Sequence, residues 1–230
     1  MTTQHAMLRG ALALGLFALV TAGSNPFALL TEEPERNLKF AARFHRLTRV
    51  VDDIVERIAE HQLAYQHRQL QEVLPASLAS VPLQAVLESA FSLPNPLPLG
   101  HRTPQEGWRV QQGSEAATIL PVVTRQGYNG DIHLLVAINQ SGQLTGVRVT
   151  HHQETPGLGD DIERSRSAWI TSFNGLSLES LPPSGWAVSK EGGEFDSFTG
   201  ATITPRAVIN AVYEALRYYQ RELIQQEPAP

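Results

Sequence analysis

An uninterrupted apolar stretch lies close to the beginning of the chain. Residues 11–30 read ALALGLFALVTAGSNPFALL and include no charged side chain. This length is about what a helix needs to cross roughly 30 Å of hydrocarbon. Asn25 and Pro26 interrupt the stretch, and a short apolar core followed by small residues is also typical of a cleavable signal peptide. We favour a transmembrane anchor over residues 10–30 after a tail over 1–9, and either interpretation directs the following domain to a membrane.

The basic residues around this stretch leave its orientation open. Arg9 precedes the stretch, whereas the basic residues that follow it are Arg36, Lys39, Arg43, Arg46 and Arg49. A positive-inside count would keep the C-terminal part in the cytoplasm, but that rule weakens for long translocated domains.

Residues 31–75 carry a helical periodicity. Apolar side chains recur every three or four residues, at Phe40, Phe44, Leu47, Val51, Ile54 and Ile58. Such a stripe, opposite a charged face, predicts an amphipathic helix that leaves the membrane and packs on the domain beyond. A second helical piece, from Gln62 to Leu74, is predicted to end before Pro75.

The pattern weakens over residues 76–107, which we interpret as an irregular connection. VPLQAVLESAF could form a short helix that opens at Pro82. The proline-rich SLPNPLPLG cannot lie inside a sheet. Residues 92–106 are therefore predicted to be irregular.

From Trp108 the pattern changes to β-branched runs separated by turn residues, which predict strands. Ile132–Asn139 and Leu144–His151 flank QSG, whose Gly142 can adopt positive φ. These two runs are predicted to form an antiparallel hairpin.

Helical and strand signals follow the hairpin. An amphipathic helix is predicted over Asp161–Phe173, a short strand within SGWAVSKEGG, and a final helix from Pro205 to about Gln225. The expected fold class is α+β: a mixed, largely antiparallel sheet with packed helices over residues 108–226. Residues 227–230 are a tail.

Composition removes several classes of function. The chain has 230 residues and a net charge of −5, and it lacks a basic stripe with interleaved aromatics, which argues against a nucleic-acid partner. Without cysteine it cannot hold disulfides or iron–sulfur clusters by itself.

His151 and His152 point to opposite faces of a strand, so we predict no metal site there. No nucleophile elbow or nucleotide-binding glycine pattern occurs, so no catalytic residue is predicted.

The segment EFDSFTGATITPRAVINAV, residues 194–212, holds the first candidate for chemistry. Pro205 suits the first position of a helix, and Thr204 suits the N-cap before it. Thr202 then lies just ahead of a helix N-terminus, where free amides stabilise an anion, and Gly200 lets the chain approach such a group. A phosphate on or near Thr202 is electrostatically reasonable, although these residues alone favour a simple turn and cap.

The second candidate is ETPGLGD, residues 154–160. Two glycines and a proline make a preset loop that exposes its own backbone groups. Such groups suit the polar edge of a planar ring, with Pro156 and Leu158 against its face. A plain connection between hairpin and helix is the alternative, and composition alone favours it.

Together these segments resemble a known family. GYNGDIHLLVAINQSGQLTGVRVTHHQETPGLGD and WAVSKEGGEFDSFTGATITPRAV look very much like the G subunit of the bacterial Rnf (Rsx) ion-translocating electron transport complex. The resemblance is dense from Gly127 to Ala215 and looser over the N-terminal part. The run from Asp196 to Thr202 matches the flavinylation signature of that family, Asp-x-x-(Ser/Thr)-Gly-Ala-Thr.

The resemblance implies that FMN is joined through its phosphate to the hydroxyl of Thr202. A separate flavin transferase would take the FMN unit from FAD and release AMP. By the same resemblance, recognition and positioning would fall to Asp196, Thr199, Gly200 and Ala201. The isoalloxazine ring would be lined by Glu154, Thr155, Gly157, Leu158 and Gly159. Lys190 would neutralise the charge of the phosphate or of the flavin. We add Thr204, which begins the predicted helix.

The function so implied is that of a membrane-anchored flavoprotein. It would relay electrons in a complex that couples ferredoxin/NAD redox chemistry to ion transport, with no turnover of its own. Its partners would be the other membrane and redox subunits, and its flavin domain would lie on the periplasmic side of the bacterial inner membrane after a single pass. Two alternatives stay open: the FMN subunit of a sodium-translocating NADH:quinone oxidoreductase, and a non-redox, membrane-anchored binding or assembly module.

Overall fold

The structure is a computed structural model that describes residues 48–58 and 68–224. The chain divides into two units, Met1–Tyr65 and Gln66–Pro230. In the first unit, residues 48–58 are helical, as the amphipathic pattern predicts. The predicted anchor over residues 10–30 lies outside the described residues, and within the described part no helix combines the length and the apolar character needed to span a membrane.

A five-stranded antiparallel sheet forms the centre of the second unit. Its strands follow one another in space as they do along the chain: β1 (Ala90–Ser92), β2 (Glu106–Gln112), β3 (Glu115–Thr124), β4 (Ile132–Asn139) and β5 (Leu144–His151). Every neighbouring pair is antiparallel. The β4–β5 hairpin has the predicted bounds, and Gly142 in its loop has φ of 74°. The antiparallel α+β expectation is therefore confirmed for the described residues.

Helices pack against this sheet. Residues 68–73 are helical and end before Pro75, as predicted. A short helix α1 (Leu83–Glu88) opens after Pro82, also as predicted. The long helix α2 (Ile203–Tyr218) continues into a π-helical turn over Tyr219–Ile224.

One face of the sheet packs against α2. Alternate side chains of a strand point to opposite faces, so Leu134 and Val136 of β4 reach the same core as Val208 and Val212 of α2. The far end of α2 is fixed by the hydroxyl of Tyr218, which donates to the backbone oxygen of Pro94 at 2.5 Å. Burial raises the pKa of Tyr218 to about 12. The end of α2 is thereby tied to the segment between β1 and β2.

The other face is covered by the helix over 68–73 and by the segment that follows it. Leu135 of β4 packs in a second core with Val73 and Leu78. A Cβ on Gly146 of β5 would lie 2.6–3.0 Å from backbone atoms of Val73, so this contact requires glycine. Because both faces are covered, β4 is apolar at every position from Leu134 to Ile138 and shows no alternation there.

Two predicted elements are wrong. The helix expected over Asp161–Phe173 is replaced by two 3-10 turns, Asp160–Ile162 and Trp169–Phe173. A hydroxyl group competes with helical bonds here, since the hydroxyl of Ser167 accepts the backbone N–H of Trp169.

The strand expected in SGWAVSKEGG is also absent from the sheet. The segment forms 3-10 turns at Pro183–Gly185 and Ser189–Glu191 and pairs locally through a bridge from Val188 to Phe195. Two glycines permit the tight return. Gly192 has φ of 86°, and a Cβ on Gly193 would lie 1.9 Å from the oxygen of Ala187.

Candidate functional site

A cavity of about 250 Å³ lies between the TGAT turn (residues 199–202) and the ETPGLG loop (residues 154–159). Its lining residues are Tyr128, Glu154, Thr155, Leu158, Gly159, Gly200, Ala201, Thr202, Ile203 and Thr204. The two segments that carry the candidate chemistry therefore form one site, although about 50 residues separate them in the sequence.

The TGAT turn is held by an aromatic anchor. The N–H of Ala201 donates to the oxygen of Phe198 at 3.3 Å, and Gly200 has φ of 78°, a left-handed conformation that favours glycine. The indole of Trp169 donates to the oxygen of Asp196 at 2.9 Å and meets the Phe198 ring edge to face at 5.0 Å. Trp169 and Phe198 thus fix the turn from the protein interior, while its outer residues stay open to solvent.

Helix α2 begins two residues earlier than the sequence predicts. Its N-cap is Thr202, so the prediction of Thr204 as N-cap is wrong. The hydroxyl of Thr202 caps none of the helix amides, and the side chain is half-buried at the cavity. Pro205 is tolerated in this first turn because the amides there have no helical partner. An uncommitted hydroxyl therefore lies at the positive end of a sixteen-residue helix.

Thr204 has a different task inside that first turn. Its side chain is 1% exposed, and its hydroxyl donates to Oε2 of Glu154 at 2.5 Å. Glu154 is itself only 5% exposed, and its Oε1 accepts the N–H of Asn129 at 3.1 Å. A single carboxyl group thus joins the helix start, the loop between β3 and β4, and the ETPGLG loop.

Gly159 lies beside this carboxyl group, where a side chain has no room. A Cβ on Gly159 would lie 2.9 Å from Cβ and Oε2 of Glu154 and 3.0 Å from the hydroxyl oxygen of Thr204. Such distances are shorter than Cβ contacts permit, so a side chain would displace the buried pair. Gly159 therefore allows Glu154 and Thr204 to meet beneath the loop.

The ETPGLG loop is a compact turn. The oxygen of Thr155 accepts the N–H groups of Leu158 and Gly159, both at 3.1 Å. The buried Asp160 accepts the N–H of Gly157 at 2.7 Å, and its second oxygen faces Arg166 at 3.4 Å. The loop is thus preset by its own bonds.

The two neighbouring histidines serve separate partners. Nδ1 of His152 accepts the N–H of Glu154 at 3.0 Å, so the proton lies on Nε2, which donates to Glu163 at 2.8 Å. This bond, followed by one from Ser165, lowers the pKa of Glu163. The ring of His151 instead lies edge-on to His133 at 5.6 Å. Over residues 48–58 and 68–224, no three metal-ligating side chains gather in a group suited to a metal ion.

Sequence reasoning missed two residues of the lining, Tyr128 and Ile203. Together with Leu158 they are unusually exposed apolar side chains, Tyr128 at 68% and the other two at 44% each. Tyr128 stands in the polar turn GYNG, where an aromatic side chain has no core to enter, and this is the signal that could have identified it. The cavity therefore has an apolar mouth above a polar floor.

Four of the predicted site residues lie outside the lining. Asp196 and Thr199 are exposed on the TGAT side, and Gly157 is exposed on the loop. Lys190 is exposed in the 3-10 turn Ser189–Glu191. Their roles stay predictions.

Comparison with known proteins places the chain in a family. It is 42% identical over 220 residues to the G subunit of the ion-translocating oxidoreductase complex of Pseudomonas aeruginosa strain UCBPP-PA14, covering 94% of this chain and 90% of that protein. The chain belongs to this G subunit family. The corresponding protein of Pectobacterium atrosepticum is 44% identical over 183 residues, covering 79% of this chain and 86% of its own.

The comparisons also bear on the cofactor and the fold. Residues 127–217 match the FMN-binding domain family, which identifies FMN as the cofactor. The crystal structure of the Na(+)-translocating NADH-quinone reductase C subunit from Parabacteroides distasonis shares the fold, with a TM-score of 0.53 and 18% identity over 74% of this chain and 98% of that one. The site fits FMN because a free hydroxyl at a helix N-terminus can meet a phosphate and the apolar mouth can meet a planar ring.

Proposed function

We propose that the chain carries FMN as a phosphate ester of Thr202 and relays electrons within an ion-translocating oxidoreductase complex. The observation that carries this proposal is the single cavity that joins the Thr202 hydroxyl to the ETPGLG loop. When bound, FMN supplies the electron-transfer chemistry, whereas the chain supplies binding, orientation and electrostatics.

Three threonines line the cavity, and burial distinguishes Thr204 from Thr202. The Thr204 hydroxyl is buried and donates to Glu154, so it is not accessible to another enzyme. The Thr202 hydroxyl is half-buried, faces the cavity and caps no helix amide. In the proposed reaction it forms a bond to the FMN phosphorus of FAD, the bond to the AMP phosphate breaks, and the hydroxyl proton leaves as AMP is released.

Other residues of the chain would hold the product in place. The helix N-terminus favours the phosphodiester that results, because its first amides point toward a negative charge. Tyr128, Leu158 and Ile203 offer apolar surface to the ring system at the mouth. Burial of these exposed side chains would favour the ring inside the cavity over the ring in solvent.

The place of the protein in the cell belongs to the same proposal. Residues 10–30 would anchor the chain in the bacterial inner membrane, with the flavin domain on the periplasmic side. A covalently tethered flavin stays at high effective concentration near its redox partners and cannot be lost. The partners would be the other subunits of the complex, and a flavin transferase would act during maturation.

The alternative of a sodium-translocating NADH:quinone oxidoreductase subunit has support from the shared fold alone, at 18% identity. The identity of 42% over most of the chain favours the ion-translocating oxidoreductase complex of the G subunit family. A non-redox assembly module would need no flavin.

The proposal is tested in membranes from cells that make both the full chain and the flavin transferase. A denaturing gel of these membranes should show a fluorescent band at the size of the chain. The Thr202→Ser variant should keep the band because it keeps a hydroxyl, whereas Thr202→Val should lose it. A colourless wild type, or a fluorescent Val variant, would contradict the proposed attachment.

A further inference from the structure

The least expected group in the cavity is a carboxyl group in its floor. Glu154 lines the cavity and is 5% exposed, and buried carboxyl groups are rare unless they are paired. We propose that Glu154 acts as a fixed negative charge that lowers the reduction potential of the bound flavin. This inference rests on the proposed function, because it requires FMN in this cavity.

Two hydrogen bonds reach the two oxygens of this group. Oε1 accepts the N–H of Asn129 at 3.1 Å, and Oε2 accepts the hydroxyl of Thr204 at 2.5 Å. A carboxylate only accepts hydrogen bonds, and each of its oxygens has a donor here. The floor of the cavity is therefore arranged around an anion.

Among the ion pairs in the part of the chain that the structure describes, none includes Glu154. Those nearest to it in sequence use other carboxylates, because Arg166 pairs with Asp160 and His152 pairs with Glu163. The ring of His152 contacts the backbone amide of Glu154 through Nδ1, while its Nε2 bonds to Glu163. The charge of Glu154 thus acts on the cavity itself.

A fixed negative charge in the cavity shifts the equilibrium between the oxidised and the reduced flavin. Electrons that arrive from an external reductant bring negative charge into the cavity, and protons from solvent compensate part of it. Repulsion between like charges is stronger in a protein interior than in water. Reduction of the flavin therefore becomes less favourable.

A structural role alone would make a different prediction. In the variant Glu154→Gln the amide oxygen can still accept the N–H of Asn129, and the amide nitrogen can donate to the oxygen of Thr204. The shape and the connections of the floor are kept while the charge is removed. Only an electrostatic role requires the reduction potential to move.

The experiment is a reductive titration against a reference dye, with the full chain loaded by the flavin transferase and loading verified by intact mass. We expect the equilibrium constant for reduction of Glu154→Gln to exceed that of the wild type at least tenfold, which is about 30 mV for a two-electron couple. Glu154→Asp keeps the charge and should stay within about threefold of the wild type, or about 15 mV. The matched control is Glu115→Gln, which should not change the reduction potential. Glu115 is an exposed carboxylate at the start of β3, at the other end of that strand from the loop that contacts Glu154.

An unchanged or lower potential in the Gln variant would overturn the proposal. If that variant is not loaded, Glu154→Ala is compared with Glu154→Asp: a higher potential in the Ala variant supports the proposal, and equal potentials overturn it. Loading of only the acidic variants would also overturn it, because the carboxylate would then serve attachment. A wild type without FMN would contradict the proposed function instead.

Discussion

The two sides of the cavity differ in how far their functional groups are exposed and hydrogen-bonded. On the TGAT side, Thr199 and Gly200 are exposed, and the Thr202 hydroxyl is committed to no cap. On the ETPGLG side, Glu154 and Asp160 are buried and accept hydrogen bonds from surrounding backbone and side-chain groups. One side leaves its hydroxyl accessible, and the other buries its carboxyl groups; we call them the open and the closed side.

This difference suits two separate roles. The proposed attachment of FMN to Thr202 requires an accessible hydroxyl and does not require rigid packing. Control of the ring's surroundings requires charges and donors that cannot move, and these are placed where water is excluded. Substitutions on the closed side should therefore change stability strongly, and those on the open side should change it little while affecting attachment.

The largest stability effect is expected from Thr204→Val. This change keeps the shape of the side chain but leaves Oε2 of the buried Glu154 without its donor. We expect the free energy of unfolding of the unmodified chain to fall by about 2 kcal/mol, in the range for hydrogen bonds to charged groups. Urea denaturation followed by tryptophan fluorescence would measure this loss. Thr204→Ser should keep most of the stability, and equal losses in both variants would show that the hydroxyl is unimportant.

The next effect is expected from Gly159→Ala. The added Cβ would lie 2.9 Å from two atoms of Glu154, and overpacking of this kind costs about 1–3 kcal/mol. Gly157→Ala is the matched control, because its Cβ would meet nothing within 4 Å and only its φ of 77° is unfavourable. The same urea titration should therefore rank Gly159→Ala as more damaging. The reverse order would mean that the floor of the cavity adjusts freely.

The smallest effect is expected on the open side, from Gly200→Ala. Its φ of 78° disfavours any side chain by about 1 kcal/mol, while its Cβ would make only an ordinary contact of 3.5 Å with Leu158. We expect a loss of about that size in urea denaturation. A loss larger than that of Gly159→Ala would contradict the distinction between an open and a closed side.

Local signals predict the β4–β5 hairpin and the ends of several helices. The edge strand β1, in contrast, lies within residues 76–107, for which we expected an irregular connection. The hairpin of β4 and β5 has its predicted bounds because apolar runs and Gly142 act within a few residues. The start of α2 could not be predicted in the same way. Thr204 has the residue type of an N-cap, but its partner Glu154 is 50 residues away, and this tertiary bond overrides the local preference.

The sequence predicts the two motifs of the candidate site but not the exposed apolar residues at the mouth of the cavity. Glu154 and Thr202 were both identified, yet only the folded chain shows that they line one cavity. Tyr128 and Ile203 were missed because exposed apolar residues carry no periodic signal. The prediction for Asp161–Phe173 is wrong because its apolar spacing suits a helix, while the hydroxyl of Ser167 accepts the backbone N–H of Trp169 instead.

The most direct test of the account is the intact mass of the full chain from a host that makes the flavin transferase, beside Thr202→Val. The account predicts that the wild type gains the mass of one FMN less one water, that the variant gains nothing, and that Thr204→Ser is modified like the wild type. An unmodified wild type in that host, or a modified Thr202→Val, would contradict the central claim.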